Sequence, residues 1–344
     1  MYSFSHVLIK TIIGVSGKTQ IDINDFYNPD DKIAKQKFQR LIKTLGFRKT
    51  RIVNRPFTVC DMCILGIDSV LRTSNVNSKD VDALIFVTQS PDHIVPASSY
   101  LIQDKVNLRD DVLLLDLIQG CSGWGYALFY ASTLIESKIC KKVLVCTGDL
   151  TFFSEVNKNS TDMGKATLGD GASVTLLEYS EETLNSHYSI KNYGDKRHII
   201  MNESSGCRFF RQLDSEKKSV SGLKMLGPEF ADFALDVMPK EIALILDAIN
   251  NDFSYVIAHQ SNKFLLNSVC SILNLDISKI PFLAENTGNT SSASIPLALS
   301  ENLSLLSNIY KKNTIFCGIG VGLSCVTASV DLRNTLIIPP IYIK

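Results

Sequence analysis

Cys121 is the residue whose position points most directly to covalent chemistry. It follows the apolar segment Val112–Leu117 and precedes a segment of helical periodicity that starts at Trp124, with Gly120 and Gly123 on either side. A thiol at the start of a helix meets unpaired backbone N–H groups and the positive end of the helix dipole, which favours the thiolate. We therefore expect a lowered thiol pKa and a nucleophile, although by residue type alone an inert buried cysteine that only fills the core is the commoner case.

His259 stands at a similar junction, between the apolar segment Tyr255–Ala258 and a helical segment. An imidazole there can donate a hydrogen bond or move a proton, although a lone histidine is more often structural. The polar segment Glu285–Ser294 contains Asn289, whose side-chain amide can donate hydrogen bonds. The same segment also fits an ordinary turn in which Ser or Thr caps the next helix.

A glycine-rich turn, Gly318–Gly322, lies between two apolar segments near the end of the sequence. Glycines in that position usually mark a tight turn or a bulge between strands. The segment is too short for a dinucleotide-binding motif, and the helix that such a motif requires does not follow it.

Strand-like and helical segments alternate along the chain, which predicts an α/β fold with buried sheets. The predicted strands are 83–87, 112–117, 142–147, 255–258 and two within 313–330, and the predicted helices are 29–45, 57–73, 98–106, 124–137, 238–249, 261–275 and 294–307. Residues 179–221 are polar and contain turn signals, so we predict that they connect two halves, 1–180 with Cys121 and 181–344 with His259 and Asn289.

The composition excludes several classes of function. The 344 residues include 35 basic and 35 acidic side chains, so no positive excess exists to attract nucleic acid. No apolar run approaches the length of a membrane span and no signal-cleavage pattern follows the N-terminus, so we expect a cytoplasmic protein. The nine cysteines are spread along the chain, and Cys60 and Cys63 have metal-ligand spacing without a second pair, which favours reduced thiols and no metal site.

Six stretches of the sequence, taken in order, resemble motifs of the 3-oxoacyl-acyl-carrier-protein synthase III family of the thiolase-like superfamily. They lie between residues 83 and 330 and are Asp116–Leu128, Leu168–Ala172, Met225–Phe230, Ala258–Asn262, Gly288–Ser294 and Gly318–Leu323. Six ordered matches are improbable by chance, so we favour the catalytic over the structural interpretation of Cys121, His259 and Asn289. The resemblance implies a duplicated five-layer α/β/α/β/α thiolase-like fold and no metal or redox cofactor.

The resemblance also implies a role for each residue. Cys121 would accept an acyl group from an acyl-CoA or an acyl carrier protein, and a malonyl thioester, on carrier protein or CoA, would be the second substrate. His259 and Asn289 would stabilise the enolate formed by decarboxylation, and the N–H groups of Cys121 and Gly322 would form the oxyanion hole. The expected product is a 3-oxoacyl thioester, and the expected assembly is a homodimer.

Several positions depart from the family pattern and bear on substrate binding. The stretch Leu45–Arg48 matches a family CoA-binding segment but lacks its tryptophan, so Arg48 would act there without the usual stacking partner. After the histidine motif, Asn262 is followed by Lys263 where the family often has an arginine that contacts the carrier protein. Val95 aligns with the family's acyl-pocket gate, often Phe, which implies a roomier pocket.

Two alternative functions remain open from the sequence. The first is an acyltransferase of the same fold that moves the acyl group to an oxygen or nitrogen nucleophile, with His259 as general base. The second is a non-catalytic partner that binds acyl chains or carrier protein. Release of CO2 from a malonyl substrate separates the first alternative from condensation, and specific labelling of Cys121 excludes the second.

Overall fold

Two mixed β-sheets, separated and flanked by helices, form the framework of the chain. The computed structural model describes residues 1–26, 32–150, 167–203, 205–207 and 223–344. The helices are α1 (Ile23–Phe26), α2 (Lys32–Leu45), α3 (Val59–Ser74), α4 (Ser98–Lys105), α5 (Gly123–Glu136), α6 (Gly227–Ala248), α7 (Lys263–Ile272) and α8 (Ser294–Asn302). The strands are β1 (Tyr2–Phe4), β2 (Val7–Gly17), β3 (Thr19–Asp22), β4 (Lys49–Ile52), β5 (Ala83–Val87), β6 (Leu113–Leu117), β7 (Lys142–Asp149), β8 (Gly171–Tyr179), β9 (Ser186–Asn192), β10 (Ile200–Met201), β11 (Lys224–Met225), β12 (Phe253–Ala258), β13 (Asn313–Gly320), β14 (Ser324–Val330) and β15 (Leu336–Ile343).

The first sheet has six strands in the order β15-β2-β8-β7-β5-β6. Its strands β5, β6 and β7 run parallel, and every residue of β5 is buried, as expected for a strand covered on both faces. The carboxyl ends of parallel strands meet at one edge of a sheet. The turn that follows β6 and the last residue of β7 therefore lie on the same side.

The second sheet has five strands in the order β1-β9-β14-β13-β12. Strands β12 and β13 are parallel, whereas β13 and β14 form an antiparallel pair joined by the short glycine turn. The parallel pairing places the end of β12, where His259 follows, beside Cys317 of β13.

The helices complete five layers in the order α/β/α/β/α. Helices α3 and α4 cover the outer face of the six-stranded sheet, and α6 and α7 cover the outer face of the five-stranded sheet. Helices α5 and α8 lie between the sheets, and their apolar residues pack on both of them. In this central layer Trp124 of α5 packs against Phe316 of β13. The layered α/β prediction is thereby confirmed, and none of the helices in the described ranges is long and apolar enough to cross a membrane.

Several predicted elements differ from the observed ones. Helix α6 begins at Gly227, well before the predicted start at Met238, because Pro228 in its first turn and the internal Pro239 obscure the helical pattern. The predicted connection at 179–221 includes β9, a strand of the second sheet, while its residues 204 and 208–221 lie outside the described residues. Strands β2 and β15 were not predicted from periodicity, and their parallel pairing joins the two ends of the chain.

The two sheets also exchange their terminal strands. Strand β1 belongs to the five-stranded sheet and β15 to the six-stranded sheet. A division into halves 1–180 and 181–344 stays a prediction, since each terminal strand pairs with the sheet built mainly from the other half.

We expect Trp124→Phe to destabilise the fold. Trp124 is 1% exposed, and its indole N–H donates to Thr175 Oγ1 over 3.0 Å. The substitution removes that hydrogen bond and some packing against Phe316, so the free energy of unfolding should fall by about 1–3 kcal/mol. Urea unfolding followed by circular dichroism measures the change.

Leu226→Phe provides the control for this experiment. Leu226 is well exposed, and the substitution changes the side-chain volume at the surface by a similar amount. This variant should unfold within about 0.5 kcal/mol of the parent. Equal stability of Trp124→Phe and the parent would contradict the assigned packing of the central layer.

Candidate active site

The Cys121 turn leaves the carboxyl end of β6 and is held against the glycines of β13. The N–H of Gly123 donates to the carbonyl of Gly120 over 2.8 Å, which closes the turn before α5. A Cβ atom on Gly320 would lie 2.7 Å from Cys121 Cβ and 3.1 Å from Sγ, closer than real side chains allow. The absence of a side chain at Gly320 therefore lets the second sheet approach the thiol.

The pKa of Cys121 differs from the sequence-based expectation. Burial raises the pKa of the thiol to about 12, a hydrogen bond from Ser291 opposes the shift, and the nearby Asp149 carboxylate adds to it. The helix-start argument predicted a lowered pKa and was wrong. Desolvation of the charged form by the surrounding layers outweighs the local dipole, so the resting group is the thiol.

His259 is buried at the carboxyl end of β12, where its backbone N–H donates to the Cys317 carbonyl over 2.8 Å. Its Nδ1 and the Ser294 Oγ are 2.6 Å apart. With the Ser294 hydroxyl as donor, the ring proton resides on Nε2, so Nε2 is the ring nitrogen that can donate to a substrate. Burial lowers the pKa of His259 to about 3, so the imidazole is neutral at physiological pH.

Asn289 is fixed by both its backbone and its side chain. Its N–H donates to the Thr167 carbonyl over 2.8 Å, and its carbonyl accepts from the Gly169 N–H over 2.9 Å. Its side-chain oxygen Oδ1 accepts from the Ser291 N–H over 2.9 Å. Because that contact occupies the amide oxygen, the side-chain NH2 group is the part of Asn289 suited to donate to a substrate.

One segment, Asn289–Ser294, brings the three predicted catalytic residues together. Ser291 Oγ lies 3.8 Å from the Cys121 Sγ, and Ser294 Oγ contacts His259, while Asn289 itself begins the segment. Ser291 and Ser294 were missed from the sequence, where the serines of this segment were interpreted as candidate helix caps. The only available signal was their density in a polar segment that enters a buried helix.

A second residue missed from the sequence is Asp149, the last residue of β7. It is buried, and burial raises the pKa of its carboxyl group. Its oxygens accept hydrogen bonds from the N–H of Gln89 and from the N–H and hydroxyl of Ser292. An acidic residue just after the predicted strand 142–147 was the signal that could have identified it.

The two predicted oxyanion-hole residues lie in different turns, Cys121 after β6 and Gly322 between β13 and β14. A Cβ on Gly320, the last residue of β13, would lie 3.3 Å from the backbone nitrogen of Cys121, and a shared oxyanion hole with Gly322 stays a prediction. Gly322 has φ +143°, a conformation that residues with a side chain rarely adopt.

Three of the predicted substrate-binding residues, Arg48, Asn262 and Lys263, group beside the polar segment. The Arg48 guanidinium donates to the Asn286 side chain, and its backbone N–H donates to the Glu285 carbonyl. A Cβ on Gly46 would lie 2.5 Å from Lys263 Cβ, which places the end of α2 directly on the start of α7. Asn262 caps α7, with its Oδ1 accepting from the Leu265 N–H over 2.8 Å.

Val95 lies apart from this group. It is 84% exposed, in a loop where the neighbouring Ile94 is 85% exposed, so its own chain does not cover it. Cys60 and Cys63 are buried in α3, and no group of three His, Cys, Asp or Glu side chains in the described ranges could hold a metal ion.

Comparison with known proteins gives consistent results for both parts of the chain. Residues 115–194 match the family model of 3-oxoacyl-[acyl-carrier-protein] synthase III, and residues 248–332 match the model of the C-terminal part of the same synthase. A putative 3-oxoacyl-[acyl-carrier-protein] synthase 3 from Campylobacter jejuni is 29% identical over 333 residues, covering 91% of this chain and 89% of the relative. A beta-ketoacyl-[acyl-carrier-protein] synthase III from Clostridium perfringens is 28% identical, covering 89% and 97%.

Solved structures support the same fold. A 3-oxoacyl-(acyl-carrier protein) synthase from Burkholderia xenovorans superposes with a TM-score of 0.87 at 24% identity, covering 99% of this chain and 98% of that one. The 3-oxoacyl-[acyl-carrier-protein] synthase III from Aquifex aeolicus gives a TM-score of 0.78 at 22% identity, with 95% and 99% covered.

The lowered pKa of His259 predicts a pH dependence of stability. A histidine with a native pKa of about 3 stays neutral while the same histidine in the unfolded chain, with a pKa of about 6.5, takes up a proton. Between these values the unfolded state binds more protons, so the native state loses stability as pH falls, by up to about 1.4 kcal/mol per pH unit. In His259→Gln the contribution of this imidazole to the pH dependence of the free energy of unfolding should disappear. Urea unfolding at pH values from about 4 to 7 measures the change.

His93→Gln is the matched control, because His93 is exposed. The free energy of unfolding of His93→Gln should change with pH as that of the parent does. If the free energy of unfolding changed with pH equally in His259→Gln and in the parent, the assignment of His259 as a buried neutral imidazole would be contradicted.

Proposed function

Because the chain belongs to the 3-oxoacyl-[acyl-carrier-protein] synthase III family, within the thiolase-like fold, we propose that it catalyses decarboxylative Claisen condensation. Its enzyme class would be an acyltransferase that joins an acyl group to a malonyl thioester and releases CO2. The observation that carries this proposal is the segment Asn289–Ser294, which contacts the Cys121 thiol and the His259 imidazole at once.

The first step is acylation of Cys121. The sulfur attacks the carbonyl carbon of the acyl thioester, and the donor thiol leaves with a proton. A thiol with a raised pKa stays protonated between turnovers, so the proton must leave sulfur as the new bond forms. The acyl-enzyme thioester then occupies the turn between β6 and α5.

The second step is decarboxylation of the malonyl thioester. Loss of CO2 leaves an enolate, whose negative oxygen needs donors that carry no negative charge. The neutral His259 donates through Nε2–H, and Asn289 donates through its amide. In a buried site such preorganised donors stabilise developing charge far more than they would in water.

The third step forms the carbon–carbon bond. The enolate carbon attacks the acyl carbonyl on Cys121, and the resulting oxyanion is held by the N–H groups of Cys121 and Gly322. Collapse of this intermediate releases the 3-oxoacyl thioester and expels the Cys121 thiolate, which takes up a proton from solvent to return to the thiol. Acyl transfer to an oxygen or nitrogen nucleophile would instead need His259 as a base, and a pKa of about 3 makes it a poor one at neutral pH.

The acyl donors that we propose are acyl-CoA and acyl carrier protein, and the extender is a malonyl thioester. Helix α2 supports binding of such anionic partners, because its sequence contains five basic residues and no acidic one; the basic residues are Lys32, Lys35, Lys37, Arg40 and Lys43. The end of this helix packs on Lys263, and Arg48 follows it, so the positive surface adjoins two of the predicted substrate-binding residues. Free thiols at all nine cysteines support work in a reducing compartment such as the cytoplasm.

We further propose that two copies of the chain pair through β6. In the described part of the chain β6 is an edge strand, which leaves its outer backbone groups unpaired. Apolar side chains are exposed along it and beside it, including Leu113, Leu115, Ile118 and Val95. A second copy would cover this surface and bring Val95 towards the partner's acyl pocket.

Intact-protein mass spectrometry tests the nucleophile. After incubation with acyl-CoA and acyl-carrier-protein thioesters of different chain length, the parent should gain the mass of one acyl group. Cys121→Ala should gain none, because the sulfur that attacks is absent. Cys207→Ala, which removes an exposed thiol, is the control and should be acylated like the parent. An adduct that persists in Cys121→Ala would contradict the assignment.

Val95→Phe tests the proposed gate and the pairing of two chains. A larger side chain should narrow the acyl pocket and shift the preferred donor towards short chains, by about tenfold in kcat/KM for a long acyl group. The measurement is kcat/KM across a chain-length series. Ile94→Phe, at the equally exposed neighbour, should leave the preference unchanged. An unaltered preference in Val95→Phe would exclude Val95 from the pocket.

A further inference from the structure

A nearly buried charged cluster lies beside the polar segment and has no part in the three steps described above. It consists of Arg51 of β4, Glu301 of α8 and Tyr342 of β15. The Arg51 Nε is 3.3 Å from Glu301 Oε1, and the two side chains are 15% and 10% exposed. The Tyr342 hydroxyl donates to Glu301 Oε1 over 2.9 Å, and the guanidinium lies 4.0 Å from the centre of the Tyr342 ring. Removing such charges from water costs free energy, so their burial indicates a fixed arrangement rather than added stability.

This cluster holds Thr287 through both its side chain and its backbone. The Thr287 hydroxyl donates to Glu301 Oε2 over 2.5 Å, and the Thr287 carbonyl accepts from the Arg51 N–H over 3.1 Å. Both carboxylate oxygens of Glu301 are therefore occupied, one by Thr287 and the other by Tyr342 and Arg51. The carboxylate thereby fixes the polar segment relative to β4 and β15.

The position of Thr287 depends on these hydrogen bonds more than on close packing. A cavity of about 10 Å³ adjoins it, with Ser294 and Glu301 among the lining residues. A space of this size, about enough for one water molecule, leaves the side chain room to move. Loss of the bond to Glu301 should therefore let Thr287 shift.

A single residue, Gly288, separates Thr287 from Asn289. Gly288 has φ +80°, and a Cβ there would lie 2.6 Å from Thr50 Oγ1, so the backbone passes directly against β4. Because the chain is enclosed on both sides of this glycine, a shift of Thr287 should also displace Asn289.

We propose that Glu301 is a positioning residue for decarboxylation. Through Thr287 it holds the Asn289 amide at the place where the enolate oxygen forms. Arg51 and Tyr342 act one step further back, by fixing the carboxylate. Strand β15, which supplies Tyr342, follows residue 332, the last residue that the family models match. The site therefore draws on a part of the chain beyond the matched residues.

This role rests on the proposed function, in which Asn289 takes part in decarboxylation but not in acylation. Acylation of Cys121 should therefore keep the parent rate in a variant that displaces only Asn289. Release of CO2 from a malonyl thioester should slow, since a misplaced donor stabilises the enolate less. A general loss of folded protein would lower both rates together.

Thr287→Val removes the hydroxyl that donates to Glu301 and keeps the shape of the side chain. CO2 release by the acylated enzyme should slow by about tenfold to a hundredfold, as for a misplaced or missing donor. The loss should fall on kcat, with little change in KM for the malonyl thioester. Acylation of Cys121, followed by intact-protein mass spectrometry, should proceed as in the parent. Thr287→Ser, which keeps the hydroxyl, should restore CO2 release.

A double variant tests whether the effect passes through Asn289. In an Asn289→Ala background the amide is already gone, so adding Thr287→Val should slow CO2 release no further, whereas independent effects would multiply. Thr335→Val is the matched control, because the Thr335 hydroxyl is also buried and donates to the Ile9 carbonyl over 2.6 Å. Thr335 lies next to the start of β15, far along the strand from Tyr342, and both rates should stay at the parent value.

Amide hydrogen exchange tests the positioning without a substrate. The Asn289 N–H is bonded to the Thr167 carbonyl, so loosening of the segment should expose it. In Thr287→Val the N–H groups of residues 288–291 should exchange at least about tenfold faster than in the parent. Tyr342→Phe, at a partly exposed position, is the second variant if Thr287→Val does not fold. It should change CO2 release and exchange in the same directions, by about threefold, as for one lost hydrogen bond.

Parent-like CO2 release in Thr287→Val, equal losses of acylation and CO2 release, or multiplied effects in the double variant would overturn the role of Glu301. A parent enzyme that releases no CO2 would contradict the proposed function instead. The exchange measurement would then decide by itself whether Glu301 positions Asn289, with faster exchange supporting it and parent-like exchange overturning it.

Discussion

The direct contact between strand β13 and the Cys121 turn is the constraint on which the rest of the site depends. A Cβ on Gly318 would lie 2.9 Å from Ser122 Cα, and a Cβ on Gly320 would lie 2.7 Å from Cys121 Cβ. The two sheets can therefore meet at the thiol only because this strand carries no side chains there. The same strand places His259, which hydrogen-bonds to Cys317, at the matching level of the second sheet.

This close approach also sets the electrostatics. Layers on every side exclude water, so burial raises the pKa of Cys121 and Asp149 and lowers that of His259. All three shifts favour the uncharged form, which is the general effect of desolvation. A neutral Cys121 thiol and a neutral His259 imidazole suit a reaction in which negative charge appears briefly on one oxygen and then on another, because fixed neutral dipoles can stabilise it at each position.

The sequence predicted the local position of Cys121 and His259, each between a strand and a helix, better than it predicted their surroundings. Cys121 and His259 each follow an apolar strand and precede a helix, and these local patterns survive in the fold because buried strands are continuous apolar runs. The pairing of β2 with β15 joins residues more than three hundred positions apart, and periodicity holds no information on such partners. The start of helix α6 was not predicted because Pro228 and Pro239 obscure the helical pattern.

The contacts of Ser291, Ser294 and Asp149 could not be derived because each depends on tertiary packing. A serine in a polar loop has the same local pattern whether it caps a helix or meets a thiol across 170 residues. The wrong pKa direction for Cys121 has the same origin, since a helix start is local and desolvation is not. The roles of Val95, Arg48, Asn262 and Lys263 in substrate binding stay predictions, and of these only Val95 lies away from the surface next to the polar segment.

The central claim is that the acyl group on Cys121 is consumed by a decarboxylating carbon nucleophile. The most direct measurement isolates the acyl-enzyme, adds a malonyl thioester labelled in its free carboxylate, and counts labelled CO2 and 3-oxoacyl product against acyl-Cys lost. The account predicts one CO2 and one 3-oxoacyl thioester for each acyl group that leaves the enzyme. Loss of the acyl group without CO2, or its transfer to an oxygen or nitrogen acceptor, would contradict the account.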